Sequence, residues 1–398
     1  MIKGGGFLIT DQEAKDIFIP EEFGEDQLMM ASATKEFVEK ELDPHRERFE
    51  KKDYKLTEDC MKKAGKLGLL GISVPQEFGG MGMPFNTSVL ICDKISGANG
   101  SFSTAFGAHT GIGTLPILLY GNDKQRKKYL PKLATGKLMG CFGLTEPDHG
   151  SNPGGMTTNI KDMGGHFILN GAKMWISNSP FADIAIVWAK NEEGRIKGVI
   201  VERGMEGFST PETHNKWSLR ASATGELVFD NVKIPKENIL PNKDGLGAPL
   251  GCLDSARYGI AWGAIGAAMD CYDTALRYSK ERIQFGRPIA GFQLQQKKLA
   301  EMITEITKAQ FITLRLGQLK NEDKATSAQI SMCKRNNVEM ALNITREARQ
   351  ILGGMGITGE YSIMRHMMNL ESVITYEGTH DIHLLITGLD ITGENAFK

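Results

Sequence analysis

"CLDSARYGIAWGAIGAAMDCYDTALRYSKERIQF" runs from Cys252 to Phe285. It is long, rich in small residues and stops at Gly286-Arg287-Pro288. It reads as a helix. Two more long amphipathic segments follow, "FQLQQKKLAEMITEITKAQFITLRLGQLK" (292–320) and "KATSAQISMCKRNNVEMALNITREARQILGG" (324–354). A shorter fourth helix is expected over about 360–386. Long helices with short connections predict a four-helix bundle.

Upstream, from about 138 to 245, the period shortens. "FILNGAKMWISN", "ADIAIVWAK", "IKGVIVE" and "TGELVFDNVKIP" are β-rich runs punctuated by Gly, Asn, Asp and Pro. "NEEGR" between two of them reads as a hairpin loop. An antiparallel sheet domain is expected. Residues 25–135 read helical again. "EDQLMMASATKEFVEKELDPHRERFEK" carries Leu28, Ala31, Phe37, Val38 and Leu42 near helical period and is limited by Pro44. "TEDCMKKAGKLGLLG" has Thr57 as its expected cap, "NTSVLICDKISGANG" is expected to end at its glycines, and Asp123 is expected to cap "NDKQRKKYLPKLATG". The expected division is therefore 1–137 helical, 138–247 β and 248–398 bundle, an α+β chain with a ligand crevice where the parts meet.

The bulk numbers exclude several classes. The 398 residues are 41% hydrophobic and 24% charged, with a formal net charge of -1, so nothing calls for nucleic acid or an anionic membrane. No apolar run approaches the ~20 residues of a membrane span. "MIKGGGFLIT" lacks the character of a signal or transit peptide. The six cysteines, Cys60, Cys92, Cys141, Cys252, Cys271 and Cys333, form no C-x-x-C pair, which suggests a reduced, cytoplasmic protein.

"ITYEGTHDIHLL", Ile374 to Leu385, holds the sharpest chemical question. Glu377, His380 and His383 are spaced to share a helical face. A di-iron bundle needs a second E-x-x-H, H-E-x-x-H is absent, and Gly378 weakens a helix here, so no metal is expected. The other readings are a carboxylate base in an apolar pocket, its pKa raised and Gly378 giving the ligand room, or a capping or surface Glu. "FGLTEPDHGSNPGG" (142–155) is a turn-rich loop suited to ligand oxygens, yet neither a Walker A nor a Rossmann fingerprint. Trp175 in "KMWISN" suits either the core or a planar cofactor. Arg282 and Arg287 suit phosphates or solvent, and "QILGGMGIT" (350–358) suits a helix end or a phosphate. A G-x-S-x-G serine hydrolase is excluded.

"FGLTEPDHGSN", "KMWISN", "LRASATGELVFDNVKIP", "ERIQFGRPIAGFQLQQKKLAEM" and "LGGMGITGEYSIMRHMMNLESVITYEGTHDIH", in this order, resemble the acyl-CoA dehydrogenase family. The resemblance spans essentially the whole chain. From about 138 onward it is closest to glutaryl-CoA dehydrogenase, through "SLRASATG", "CLDSARYGIAWG" and "TYEGTHDIH". It implies a helical domain, a middle antiparallel β domain and a C-terminal four-helix bundle, assembled as a homotetramer. FAD would lie in the crevice beside the β domain, and electrons would pass to an electron-transfer flavoprotein. Glu377 matches the catalytic base, removing the α-proton as the β-hydride goes to flavin N5, to give a 2-enoyl-CoA. Phe142, Leu144, Thr145, Trp175, Ile176 and Ser177 match flavin contacts. Arg282, Phe285 and Gln293 match FAD contacts across a subunit boundary. Gln350, Gly353 and Gly354 match diphosphate or adenine contacts, and Thr379 and Asp381 match flavin-side positions. Ser103, Ser151, Arg257, Tyr376 and Gly378 match substrate positions.

One departure bears on the substrate. The arginine that holds the distal carboxylate in glutaryl-CoA dehydrogenases falls on Ser103, and a family glutamate falls on Ser96. A serine cannot replace a guanidinium fork. "SGANGSFSTAFGAHTGIGTLPILLYG" instead resembles the fatty acyl-CoA branch, so the chain reads as a mosaic. The expected activity is acyl-CoA dehydrogenation. The alternatives are glutaryl-CoA dehydrogenation, with or without decarboxylation, and an inactive FAD-binding homologue.

Overall fold

The structure is a computed structural model and describes residues 24–397. The N-terminal "MIKGGGFLIT", expected to be no targeting signal, lies outside the described residues. The chain divides into two compact units, whose segments interleave. Within the described residues, the first unit comprises 24–44, 84–103 and 257–397, and the second comprises 45–83 and 104–256.

The helices are α1 (Glu25–Phe37), α2 (Arg46–Glu50), α3 (Tyr54–Lys66), α4 (Phe85–Gly107), α5 (Leu115–Tyr120), α6 (Asp123–Ala134), α7 (Gly247–Glu281), α8 (Gln293–Asn321), α9 (Ser327–Leu352), α10 (Ile363–Val373) and α11 (His380–Thr392). The strands are β1 (Gly140–Gly143), β2 (Asn159–Asp162), β3 (His166–Ser177), β4 (Ile184–Lys190), β5 (Ile196–Glu202), β6 (Phe208–Ser209), β7 (Thr224–Pro235), β8 (Ile283–Gln284) and β9 (Arg287–Pro288).

In the second unit β1 to β7 form one sheet. The "NEEGR" hairpin joins β4 to β5 in register from Ile184↔Glu202 to Lys190↔Ile196. Most pairs are antiparallel, but β1 and β2 both run parallel to β4. Because β4 is buried on both faces it reads as a continuous apolar run. Ile184, Ile186 and Trp188 pack with Ile117, Tyr129 and Leu133 of α5 and α6, whereas Ala185, Val187 and Ala189 pack with Leu227 and Phe229 of β7. That is the period of two expected of a strand.

Two caps differ from the sequence expectation. α3 is capped by Asp53, four residues before Thr57, because Asp53 accepts from Leu56 N at 3.0 Å; the Thr57 hydroxyl donates instead to Ala221 O. α6 is capped by Asn122, one residue before Asp123, with Gln125 completing a reciprocal capping box.

In the first unit α9 packs against α8, α10 and α11. The core joins Ile265, Met302, Ile306, Val338, Ile344 and Leu370. The small residues of α7 let α4 approach: a Cβ at Gly266 would lie 2.1 Å from Asp93 O, and one at Gly263 would lie 2.6 Å from Ser96 Oγ. α4 does not end at its glycines as expected. It kinks at Asn99 (φ -156°) and continues to Gly107. Asn99 Oδ1 accepts from Ser101 N and Phe102 N, restarting the helix as an N-cap would. The expected single helix over 360–386 is two helices, α10 and α11, broken at 374–379. Glu377 lies in that break.

Candidate active site

The break is built from local and distant bonds. Thr375 N and Tyr376 N both donate to Ser372 O, closing α10, and Thr379 Oγ1 accepts from Ile382 N at 3.2 Å, capping α11. Between them Glu377 (φ 50°) and Gly378 (φ 95°) are left-handed. For a non-glycine residue that strain costs ~1–3 kcal/mol and persists only where the surrounding structure imposes it. Arg257 Nε of α7 donates to Glu377 O at 2.8 Å, and Lys334 Nζ of α9 donates to Tyr376 O and Gly378 O, each at 2.8 Å. Both cationic side chains are buried.

The Glu377 residue is partly exposed, but its Oε2 is shielded from solvent and has no hydrogen-bond partner. Burial pushes its pKa up to about 7, with Arg257 and Lys334 opposing the shift. Burial pushes Lys334 down to about 7, and the Glu377 carboxylate opposes this. Burial prevails at Glu377, since neither cation touches its carboxylate while both hold its backbone. Burial likewise lowers His383 to about 3 and lowers His380. The histidines are neutral near pH 7. They share α11, but Glu377 precedes that helix, so the spacing that suggested one face does not produce one. Among the described residues no group of three or more His, Cys, Asp or Glu side chains could hold a metal ion.

Gly378 is required here for two reasons. Its φ of 95° disfavours any side chain, and a Cβ would lie 2.8 Å from the buried His383 ring and 3.5 Å from an Arg257 nitrogen. Gly378→Ala is therefore expected to shift the segment around Glu377 and, for a displacement of about 1 Å, to slow turnover about 100-fold. Steady-state rates and melting of the variant check this; a rate equal to wild type would refute the close approach.

Of the remaining expected site residues of the first unit, Arg282, Phe285, Gln293, Gln350, Gly353, Gly354 and Asp381 are exposed, whereas Ser103, Tyr376 and Thr379 are half-buried. Arg282 and Phe285 lie on the β8–β9 hairpin, where Phe285 has φ 51° and is 93% exposed. Gln293 opens α8 and Gln350 lies near the end of α9, both exposed. Gly353 has φ 57°, and a Cβ at Gly353 or Gly354 would meet nothing within 4 Å. Asp381 is exposed in the first turn of α11. Tyr376 lies with its ring 5.7 Å from Lys334 Nζ. Ser103 is half-buried and accepts from Ser96 Oγ at 2.6 Å.

In the second unit Trp175 is the telling residue. β3 pairs Lys173 with Leu227 but Ile176 with Gly225, so β3 carries one extra residue. Trp175 sits in that bulge with φ 62°, and its indole is 57% exposed. A bulge of this kind re-aims a side chain out of the ladder. Phe142 and Leu144 are buried, and Phe142 packs against Trp188 with ring centroids 6.1 Å apart. Their side chains belong to the core, whereas Thr145, which follows them, is half-buried. Ile176 is buried, Ser177 half-buried and Ser151 exposed.

Three residues escaped the sequence reading. Lys334 falls on the apolar stripe of α9 with Ile330, Val338 and Ala341; a lysine at that period was the available signal. Lys173 and Glu146 form a buried ion pair at 2.8 Å, with Lys173 also donating to Leu144 O at 3.1 Å. Glu146 accepts further from Thr157 N, Thr157 Oγ1 and Thr158 N, and with Lys173 these donors hold its pKa down at about 2 against burial.

Comparison with known proteins gives the same frame. The chain matches the family models described as acyl-CoA dehydrogenase N-terminal domain over 24–137, middle domain over 141–232 and C-terminal domain over 243–390. A glutaryl-CoA dehydrogenase from Mycobacterium smegmatis, solved in complex with FADH2, is 42% identical, with 94% of this chain and 97% of that one covered and a TM-score of 0.91. An acyl-CoA dehydrogenase of Bacillus subtilis (strain 168) is 36% identical over 93% of this chain and 98% of its own. Glutaryl-CoA dehydrogenase of Desulfococcus multivorans is 33% identical over 92% and 96%. With the fold, the domain order and these relatives in agreement, the chain belongs to the acyl-CoA dehydrogenase family of oxidoreductases.

Proposed function

We propose that the protein oxidises an acyl-CoA thioester to the 2-enoyl-CoA, with Glu377 as the base that removes the α-proton. The observation that carries this is the unpartnered, desolvated Oε2 of Glu377, whose pKa of about 7 suits proton abstraction near neutrality. The Glu377 N–H has no hydrogen-bond partner among the described residues, which suits donation to the thioester oxygen as enolate charge develops. Arg257 and Lys334 offset part of the desolvation, so the carboxylate is ionised in a useful fraction of molecules. Tyr376 and Gly378 would border the thioester, with Ser151 beside the CoA moiety.

The residues present fit FAD. The bulge exposes the Trp175 indole for a planar ring, and the backbone around Gly353 and Gly354 is open to a diphosphate. When bound, FAD supplies the hydride acceptor. In the second unit Phe142, Leu144, Thr145, Trp175, Ile176 and Ser177 would hold it, the first two through their backbone. In the first, Arg282, Phe285, Gln293, Gln350, Gly353, Gly354, Thr379 and Asp381 would do so. A Phe285 that is 93% exposed at a hairpin tip suits contact with a second copy of the chain, which supports a homotetramer. The three-part division at 137 and 247 and electron-transfer flavoprotein as acceptor belong to the same proposal. Among the described residues no helix is long and apolar enough to cross a membrane.

For the acyl chain we propose a monocarboxylic substrate. Ser96 Oγ donates to Ser103 Oγ at 2.6 Å, and neither hydroxyl offers the cation that a distal carboxylate would need. The identity to glutaryl-CoA dehydrogenases favours the second reading, glutaryl-CoA. A panel of acyl-CoA esters with an artificial electron acceptor separates the two. Fatty acyl esters should turn over fastest; brisk glutaryl-CoA turnover with CO2 release would overturn the monocarboxylate assignment.

A further inference from the structure

Three consecutive carbonyl oxygens, those of Tyr376, Glu377 and Gly378, each accept a hydrogen bond from a buried cationic side chain. Lys334 Nζ takes the outer two at 2.8 Å each, and Arg257 Nε takes the middle one at 2.8 Å. A trans peptide is planar, with its C=O and the next N–H on opposite sides. Fixing the Tyr376 carbonyl therefore fixes the direction of the Glu377 N–H, and fixing the Gly378 carbonyl fixes the next peptide. The bonded carbonyls turn toward the cations, and the Glu377 N–H turns away from them.

We propose that Lys334 is a positioning residue: by gripping the carbonyls on both sides of Glu377 it holds that residue left-handed and aims its N–H and carboxyl arm at the substrate. This rests on the reading of Glu377 as the base. A merely space-filling side chain at position 334 would be apolar, because an ammonium here is fully buried. An ammonium has three protons, of which two meet carbonyls and the charge lies 5.7 Å from the Tyr376 ring. Besides Lys334, Arg257 on α7 acts on Glu377; His380 and His383 on α11 are lowered by burial, Arg335 and Glu339 of α9 act on His380, and the Tyr376 ring lies beside Lys334.

The test compares wild type, Lys334→Met and Glu377→Gln as FAD-loaded proteins. Anaerobic flavin bleaching by acyl-CoA, equilibrium binding of an unreactive acyl-CoA thioether, the pH profile and the melting temperature are measured on each. Lys334→Met should bind the thioether as wild type does yet bleach about 10- to 100-fold more slowly. Its acidic limb should move to higher pH, because the ammonium that favours ionised Glu377 is gone. A folded Lys334→Met that bleaches within about twofold of wild type with an unmoved limb overturns the proposal, whatever its melting temperature. If Lys334→Met does not fold, Lys334→Gln, which keeps an amide donor without charge, is held to the same outcomes. Glu377→Gln that still bleaches overturns the base assignment itself, a failure distinct from that of Lys334.

Discussion

Glu377→Gln is expected to give yellow, folded protein whose flavin acyl-CoA no longer bleaches. The substitution is close to isosteric, and the bonds from Arg257 and Lys334 go to backbone carbonyls that it leaves in place. What it removes is the proton acceptor. Loss of a positioned general base slows a reaction by typically ~10²–10⁴-fold, and a carbon acid as weak as a thioester's α-position should fall at the upper end. The pH profile gives a second reading. In wild type the rate should rise as pH passes about 7, where the buried carboxyl ionises. The variant should lack that limb. Bleaching at near wild-type rate, or an unchanged limb, would assign the base elsewhere.

Lys173→Met carries the second large effect, on stability. It leaves the buried Glu146 carboxylate without its cation, and breaking a buried pair from one side costs ~3–5 kcal/mol. Leu144 O also loses its donor at the head of the loop proposed to meet the flavin, so FAD content should fall along with melting temperature. Adding Glu146→Gln should restore part of the loss, since the uncompensated charge is then gone. The pH dependence has a definite sign. The folded pKa of Glu146, about 2, lies below the ordinary glutamate value, so its contribution is fully present above that ordinary value and is lost as pH falls toward 2. The Lys173→Met protein should show a weaker acid dependence of stability. Thermal melts of the single and double variants across pH decide this; additive losses would mean the pair is not coupled.

Local chemistry was legible where it was local. "TGELVFDNVKIP" is β7 from end to end, and "NEEGR" is the β4–β5 turn, because alternation and turn residues act within a few positions. Caps were displaced by one residue or more, since Asn122 and Asp123 are both competent oxygen acceptors and only the backbone path selects between them. The glycines beside Asn99 and at position 378 signalled weak helix at both places, but not that α4 continues past its kink or that 374–379 is a full break. Helical period continues through both, and tertiary bonds and side-chain bonds to backbone interrupt it.

By itself, the sequence determined the order of helical, β and helical segments, the alternating strands, the absence of metal motifs, and a glutamate followed by a glycine near the end of the chain. It could not determine what that glutamate is. The bonds that hold Glu377 come from Arg257, 120 residues away, and from Lys334, 42 residues from Tyr376. Its raised pKa comes from burial. Desolvation and backbone aim are properties of what packs around a residue, and only the tertiary structure brings those groups to Glu377.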